Sequence, residues 1–262
     1  MPGEPILIVP DVHQDEDFLL RCLRLGSERR AGEVILLGDL LDSKSRHGRL
    51  LPVIRRLVRT VGNLLEQGDV PATLLWGNHD WKYWSFRKPI EAMDADMRNN
   101  FEFYAVNDLS ILTVDVLLAP DPDTGRAPID LWGEHAVLAA ERNGWLITHA
   151  GVAAPLWPGD AGLKDGVAAL NETMRKLVAD PPPDYGHPLL GAGPPRGGFD
   201  PVGGPLWLDF VEEFSDDLPF PQIVGHTRCQ SVLRKGRSVC LDVCQQVCAI
   251  LHPDGTLEPV TL

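Results

Sequence analysis

The sequence predicts an α/β fold in which two β-sheets pack into one sandwich. Three observations carry that prediction. Short apolar runs alternate with amphipathic helical stretches through the first 80 residues, as in strands laid parallel with helices between them. From residue 230 onward the pattern is β only. Most of the apolar runs lack polar alternation, so each strand is covered on both faces.

Taken in order, "PILIVP" (5–10) reads as a buried strand, and "EDFLLRCLRLGSE" after it carries a helical stripe at 18, 19, 22, 23 and 25. "EVILLG" (33–38) is a second strand. Residues 50–67 form a helix with Leu50, Val53, Ile54, Leu57, Val58, Val61 and Leu65 on one face, and "PATLLWG" (71–77) is a third strand. Residues 88–100 read as helix, 101–118 as a hairpin, 119–128 as a loop and 131–143 as helix. "GWLITHAG" (144–151) is another buried strand, and 163–178 is a helix. The Pro/Gly-rich stretch 181–205 is too long for a simple connection, so it is read as a lid or a structured functional loop. "PQIVGHT" supplies one more strand, and the last β segments turn at Lys235-Gly236 and Asp254-Gly255. With no repeat and no linker, residues 1–262 are expected to form a single domain.

The composition excludes several classes. Hydrophobic residues make up 44% and charged residues 23%, ordinary for a globular chain with a large core. A formal net charge of −13 repels a phosphate backbone and argues against nucleic acid as a partner. No run of 18 apolar residues is present, so no membrane span is expected, and the N-terminus lacks the basic region and cleavage site of a signal peptide. The five cysteines do not have zinc-ribbon spacing and read as reduced thiols, which implies a cytoplasmic location.

The chemistry collects at strand ends. Asp11 and His13 follow one apolar run, Asp39 and Asp42 a second, Asn78 and His79 a third, His149 a fourth and His226 a fifth. In open α/β sheets that edge is where ligands bind. Asp, His and Asn together offer hard oxygen and borderline nitrogen donors, a set suited to Mn²⁺, Fe²⁺ or Zn²⁺, and numerous enough for two cations about 3.5–4 Å apart.

"DVH", "GDLLD", "GNHD", "HAG" and "GHT", in that order, resemble the calcineurin-like metallophosphoesterases, in particular the phosphoprotein-phosphatase-like branch that includes bacterial and phage Ser/Thr phosphatases and symmetrical diadenosine tetraphosphatases. "GPLWLDF" and "VCLDV" are weaker landmarks of the same branch. The resemblance implies a four-layer α/β-β-α sandwich of two mixed β-sheets flanked by helices. By motif it implies that Asp11 and His13 hold a first metal, that Asp39 bridges, and that Asn78, His149 and His226 hold a second. It further implies in-line attack on a phosphomonoester by a metal-bridging hydroxide, with His79 as general acid and Asp42 orienting its imidazole. Mn²⁺ is expected first, with Fe or Zn as alternatives. The expected substrate is a phosphorylated small molecule or a phosphoprotein. Hydrolysis of dinucleoside polyphosphates or phosphodiesters is the alternative, and a non-catalytic metal-binding scaffold is disfavoured because His79 and all six ligand positions are present.

Two positions depart from the branch. Ser43 stands where relatives carry a phosphate-binding Arg, and Asp209 follows "LW" where another Arg is usual. Arg46 or Arg228 is therefore expected to bind the phosphate, with Lys44 and Arg49 as neighbouring cations. Asp80 is expected to stabilise its loop. Trp81, Tyr83, Trp84 and Phe86 form either a substrate-facing wall or a cluster that folds the loop, and His47, His135, His187 and His252 are assigned no role in the site.

Overall fold

The computed structural model describes residues 3–42, 51–85, 87, 111–121, 125–182 and 186–262. Two mixed sheets stack face to face. The first contains β1 (Ile6–Val9), β2 (Glu33–Leu36), β3 (Ala72–Leu75), β4 (Ala136–Val137), β10 (Val247–Leu251) and β11 (Leu257–Thr261), in the order β11-β10-β1-β2-β3-β4. The second contains β5 (Ala139–Arg142), β6 (Trp145–Thr148), β7 (Gln222–Val224), β8 (Leu233–Lys235) and β9 (Ser238–Cys240), in the order β5-β6-β7-β9-β8. Strands β1 to β4 run parallel, as do β6, β7 and β9, and the remaining pairs are antiparallel.

The strand sequences explain the layering. Successive side chains point to opposite faces. Ile6, Ile8, Ile35, Leu37 and Leu75 of the first sheet therefore meet Ile147, Ile223, Val239 and Leu241 of the second in one buried layer. The alternate residues Leu7, Val9, Leu36 and Leu74 face helices α1 (Glu16–Glu28) and α2 (Leu51–Gln67), and Leu146 packs with Leu170 and Met174 of α6 (Leu163–Ala179). The four-layer sandwich of two mixed sheets is thus observed. No helix among the described residues is long and apolar enough to cross a membrane.

Two expectations are corrected. Ile111–Leu118, read as part of a hairpin, is helix α4. Thr113, Val114, Val116 and Leu117 are buried while Asp115 is exposed, the spacing of one helical face. A short apolar run gives no decision between the two periods until a neighbour is known, and here α4 packs on α2. Residues 101–110 and the expected helix 88–100 lie outside the described residues. The helix expected over 131–143 is also wrong. Helix α5 (Ile129–His135) stops, and Ala136–Val137 and Ala139–Arg142 become β4 and β5, one in each sheet. "AVLAAER" favours helix locally, but two sets of interstrand bonds outweigh propensities of a few tenths of a kcal/mol per residue. The bend between β4 and β5 is fastened by Asn171, whose Oδ1 accepts from the amides of Leu138 and Ala139 at 2.9 Å each and whose Nδ2 donates to Ala139 O at 2.8 Å.

Candidate metal centre

The chain turns sharply where the parallel strands end, and these turns bring the site together. His13, Asp39, Asp42 and His226 all have left-handed backbones, with φ of 47°, 48°, 64° and 63°. Non-glycine residues rarely adopt that region, and it concentrates at functional turns. The glycines of the motifs are there for contact. A Cβ on Gly77 would lie 2.1 Å from the Asp39 amide, and one on Gly225 would lie 2.1 Å from Asp11 Oδ1. The turns are also bonded to one another. The amides of Val12 and His13 donate to Asp39 O at 3.1 and 2.8 Å, and Gly225 N donates to His149 O at 2.7 Å.

Helix α3 (Asn78–Ser85) begins inside the site. The Asp39 carboxylate caps it by accepting from His79 N at 2.9 Å, where the exposed amides of a helix start favour an anion. Asp80 points back, and its Oδ1 accepts from the amides of Leu40 and Leu41 at 3.2 Å each. It braces the loop as expected, while burial and the nearby Asp39 push its carboxyl up to about 7. Trp81 packs edge-on against Trp76 at 5.4 Å and is buried, and the Tyr83 hydroxyl donates to Asp42 Oδ1. In these contacts the aromatic cluster folds the loop onto the core. Phe86 lies outside the described residues.

The candidate ligands form two overlapping groups. His13, Asp39 and His79 make one, and Asp39, His149 and His226 make the other, with Asp39 in both. His149 Nδ1 lies 2.9 Å from Leu37 O, which only a protonated Nδ1 can satisfy. Its Nε2 lone pair then faces Asn78 Oδ1 at 3.1 Å, His226 Nδ1 at 3.1 Å and Asp39 Oδ2 at 3.5 Å. His13 is set in the same way. Its Nδ1 lies 3.1 Å from Asp42 O, so its Nε2 is turned toward the site, 3.8 Å from Asp11 Oδ2. Asp11 Oδ1 accepts from His226 N at 2.9 Å, and its Oδ2 is buried without a partner. Carboxylate oxygens and imidazole nitrogens converging on buried space, with Asp11 Oδ2 and His226 Nε2 left without partners, fit divalent cations. Asp242 was noted in the sequence only as part of a landmark. It is buried close enough to Asp11 for its charge to help raise Asp11, and its Oδ2 also lacks a partner.

The electrostatics have the same sense. Burial alone would raise Asp39, but the four imidazoles of His149, His79, His13 and His226 hold it well below the usual carboxylate range. Burial lowers His149, and burial with His149 and Arg196 lowers His226 further, which favours the neutral, metal-binding form of each. For Asp11, burial, then Asp242 and Asp39, raise the carboxyl. For His79 burial is outweighed by Asp39 and Asp42, which raise the imidazole. His79 Nδ1 sits 2.9 Å from Asp42 Oδ2, and the ring is 21% exposed. It stands at the rim of the candidate ligand cluster, paired with a carboxylate.

Of the two expected phosphate-binding residues, Arg228 alone lies among the described residues. Arg46, with Ser43, Lys44 and Arg49, lies outside the described residues, as does His47. Arg228 is exposed, and its Nε donates to Cys244 Sγ at 2.7 Å rather than to any candidate ligand. Of the other histidines, His252 pairs with Glu258 at 2.9 Å, away from the cluster. Two cations not singled out in the sequence are near the site. Lys82 lies over the Trp207 ring, 5.4 Å from its centroid, and Trp207 meets the His226 ring edge-on at 6.0 Å. Arg196 bonds Thr227, the residue after His226.

Comparison with known proteins bears on this arrangement. The family described as "Calcineurin-like phosphoesterase" matches residues 4–227, which includes all the candidate ligands. Among solved structures, the cold-active protein-tyrosine phosphatase of a psychrophile Shewanella sp. shares 17% identity, with 98% of this chain and 80% of that one covered and a TM-score of 0.52. Another structure of a cold-active protein tyrosine phosphatase also gives 17% identity, with 98% of this chain and 78% of that one covered and a TM-score of 0.53. At that identity the likeness is one of fold. No curated protein matches the chain.

Proposed function

The chain belongs to the calcineurin-like phosphoesterases and is a hydrolase acting on phosphate esters, and from that premise we propose that it hydrolyses phosphomonoesters at the Asp/His cluster, with His79 as general acid. The observation that carries this reading is the pairing of His79 with Asp42 at the edge of the Asp/His cluster. Asp11, His13 and Asp39 would hold one cation, and Asp39, Asn78, His149 and His226 the other. Two divalent ions bound there supply an activated water and neutralise charge on the phosphate.

The chain's own groups do the rest. Asp42 Oδ2 accepts from His79 Nδ1, which leaves Nε2–H to be given to the leaving oxygen. The Tyr83 hydroxyl, bonded to the other oxygen of Asp42, fixes that carboxylate so that the imidazole cannot rotate away. Leu37 O and Asp42 O hold His149 and His13 in the tautomer that presents Nε2 to the cluster.

The donor set is oxygen and imidazole with no thiolate, which favours Mn²⁺, with Fe and Zn as alternatives. The substrate is a phosphorylated small molecule or phosphoprotein. Residues 1–262 act as one domain, and the five free thiols favour a cytoplasmic setting. The test is a single assay of the purified protein with Mn²⁺ against p-nitrophenyl phosphate, bis-p-nitrophenyl phosphate and a diadenosine polyphosphate. Turnover of the monoester in preference to the other two is expected. Preference for the diester or the dinucleotide would replace this reading, and no turnover of any would point to a binding scaffold.

A further inference from the structure

The stretch 181–205 contains one Arg or Lys, Arg196. It stands at the end of a 3-10 turn, Pro194–Arg196, in a well-fastened segment. Gly204 N donates to Gly191 O at 2.9 Å, Gly203 N donates to Glu213 Oε1 at 3.1 Å, and Leu189 and Leu190 are buried. The guanidinium is therefore delivered from a fixed base. Its Nη2 donates to Thr227 Oγ1 at 2.9 Å and lies 3.0 Å from Asp209 Oδ2. The Thr227 hydroxyl also accepts from Phe210 N at 2.8 Å, and Asp209 Oδ1 accepts from the amides of Val211 and Glu212 at 2.8 and 2.9 Å. Both anchors are held in turn.

Three features suggest that this cation serves more than packing. Its anchor Thr227 is the residue after the candidate ligand His226, so the guanidinium is held beside the cluster. Its Nε is buried without a hydrogen-bond partner, a donor left over after the anchoring bonds are made. And its counter-ion is Asp209, the residue that stands where the resemblance led us to expect an arginine. That carboxylate, two residues beyond Trp207, holds a cation brought in by another segment.

We propose that Arg196 binds the non-bridging oxygens of the substrate phosphate and gives the site its preference for dianionic monoesters over singly charged diesters. The proposal rests on the phosphomonoesterase reading above. Arg196 would share or take over the part expected of Arg46, which lies outside the described residues, and of Arg228. Arg228 is the weaker candidate because it is exposed and bonded to Cys244. The Arg196 side chain is 25% exposed while Nη2 is pinned, so the guanidinium keeps a fixed angle toward an incoming oxyanion.

The test uses the metal-loaded full chain with Arg196→Gln and Arg196→Ala. Gln removes the charge but can still bond Thr227 and Asp209, so it guards against simple misfolding. Inorganic phosphate binding is measured by calorimetry, hydrolysis with p-nitrophenyl and bis-p-nitrophenyl phosphate, metal content by mass spectrometry and folding by thermal melting. Loss of a charged hydrogen bond should weaken phosphate binding about ten- to a hundredfold, with a similar fall in monoester kcat/KM. Diester turnover should change by less than about threefold, because one formal charge less is at stake. A folded, fully metallated Arg196→Gln protein with unchanged phosphate affinity and unchanged monoester-to-diester ratio would overturn the proposal while leaving the monoesterase reading in place. Arg196-dependent phosphate binding in a wild-type protein that hydrolyses neither ester would do the reverse.

Discussion

His79 Nδ1 lies 2.9 Å from Asp42 Oδ2, and the two residues arrive there from the ends of different strands. The bond leaves only Nε2 of His79 facing outward, with its distance to Asp39 Oδ2 at 4.0 Å. If the pair works as a unit, removing either member removes most of what both do. Asp42→Ala and His79→Ala should each lower kcat on an alkyl phosphate, and the double variant should be little worse than His79→Ala alone. A coupling of about 1–3 kcal/mol is expected from the cycle. Strict additivity would show that Asp42 acts elsewhere.

His79→Ala should keep both metals and lose roughly 10²–10⁴ in rate on substrates with poor leaving groups. The loss should shrink for p-nitrophenyl phosphate, whose leaving group departs without a proton. Metal analysis and a leaving-group series check this. Equal losses across the series would remove His79 from the acid role.

Asp39→Asn withdraws the one carboxylate shared by both candidate ligand groups. The charge between the cations is then uncompensated, so metal occupancy should fall along with the rate. Mass spectrometry after dialysis reads the outcome, and two retained metals per chain would contradict the bridging assignment.

Asn171→Ala tests the bend between β4 and β5. It strips partners from the amides of Leu138 and Ala139 and from Ala139 O. A destabilisation of about 1–3 kcal/mol is expected from chemical denaturation. Metal content should be unchanged, because the bend lies outside the ligand set. Wild-type stability would show that the strand pairings alone hold the bend.

Asp216 offers a pH test away from the site. Burial is the largest single influence and would raise it, but together the bonds from Arg237 N at 2.9 Å, Ser238 Oγ at 2.7 Å and Arg237 Nε at 3.0 Å lower it. A carboxyl lowered in the folded state contributes stability above its unfolded value of 3.8, and that stability is lost as pH falls through the folded value. The gap in melting temperature between wild type and Asp216→Asn should therefore be full at neutral pH and close on acidification. A gap that persists below the folded value would mean that the bonds act without the charge.

Much of this fold was legible because its strands are buried on both faces and end in polar turns. β1, β2, β3, β6 and β7 could be read from "ILIV", "EVIL", "ATLL", "WLIT" and "QIV". Their polar ends single out Asp11, His13, Asp39, Asp42, Asn78, His79, His149 and His226 as neighbours from the sequence alone. Where neighbours decide the outcome, the reading failed. "AVLAAER" becomes two strands only because β3 and β6 are there to pair with it. "ILTVDVLL" becomes a helix because α2 offers a surface. Arg196 carried no motif. Its one signal was that it is the sole Arg or Lys in the Pro/Gly-rich stretch, and a lone cation does not reveal that Asp209 and Thr227 will hold it.

The bond from His226 N to Asp11 Oδ1 joins residues 215 apart in the sequence. It sets a clock on the birth of the enzyme. A ribosome makes Asp11, His13 and Asp39 early, yet the second half of the cluster does not exist until the strand carrying His226 has left the exit tunnel. Until then the nascent chain holds an incomplete set of donors, with β1 still waiting for β10 to pair along its edge. A cation that needs donors from both halves would be held only once the strand carrying His226 has joined the sheet. A ribosome stalled before His226 would release a protein with its first carboxylates in hand and nothing to close over them.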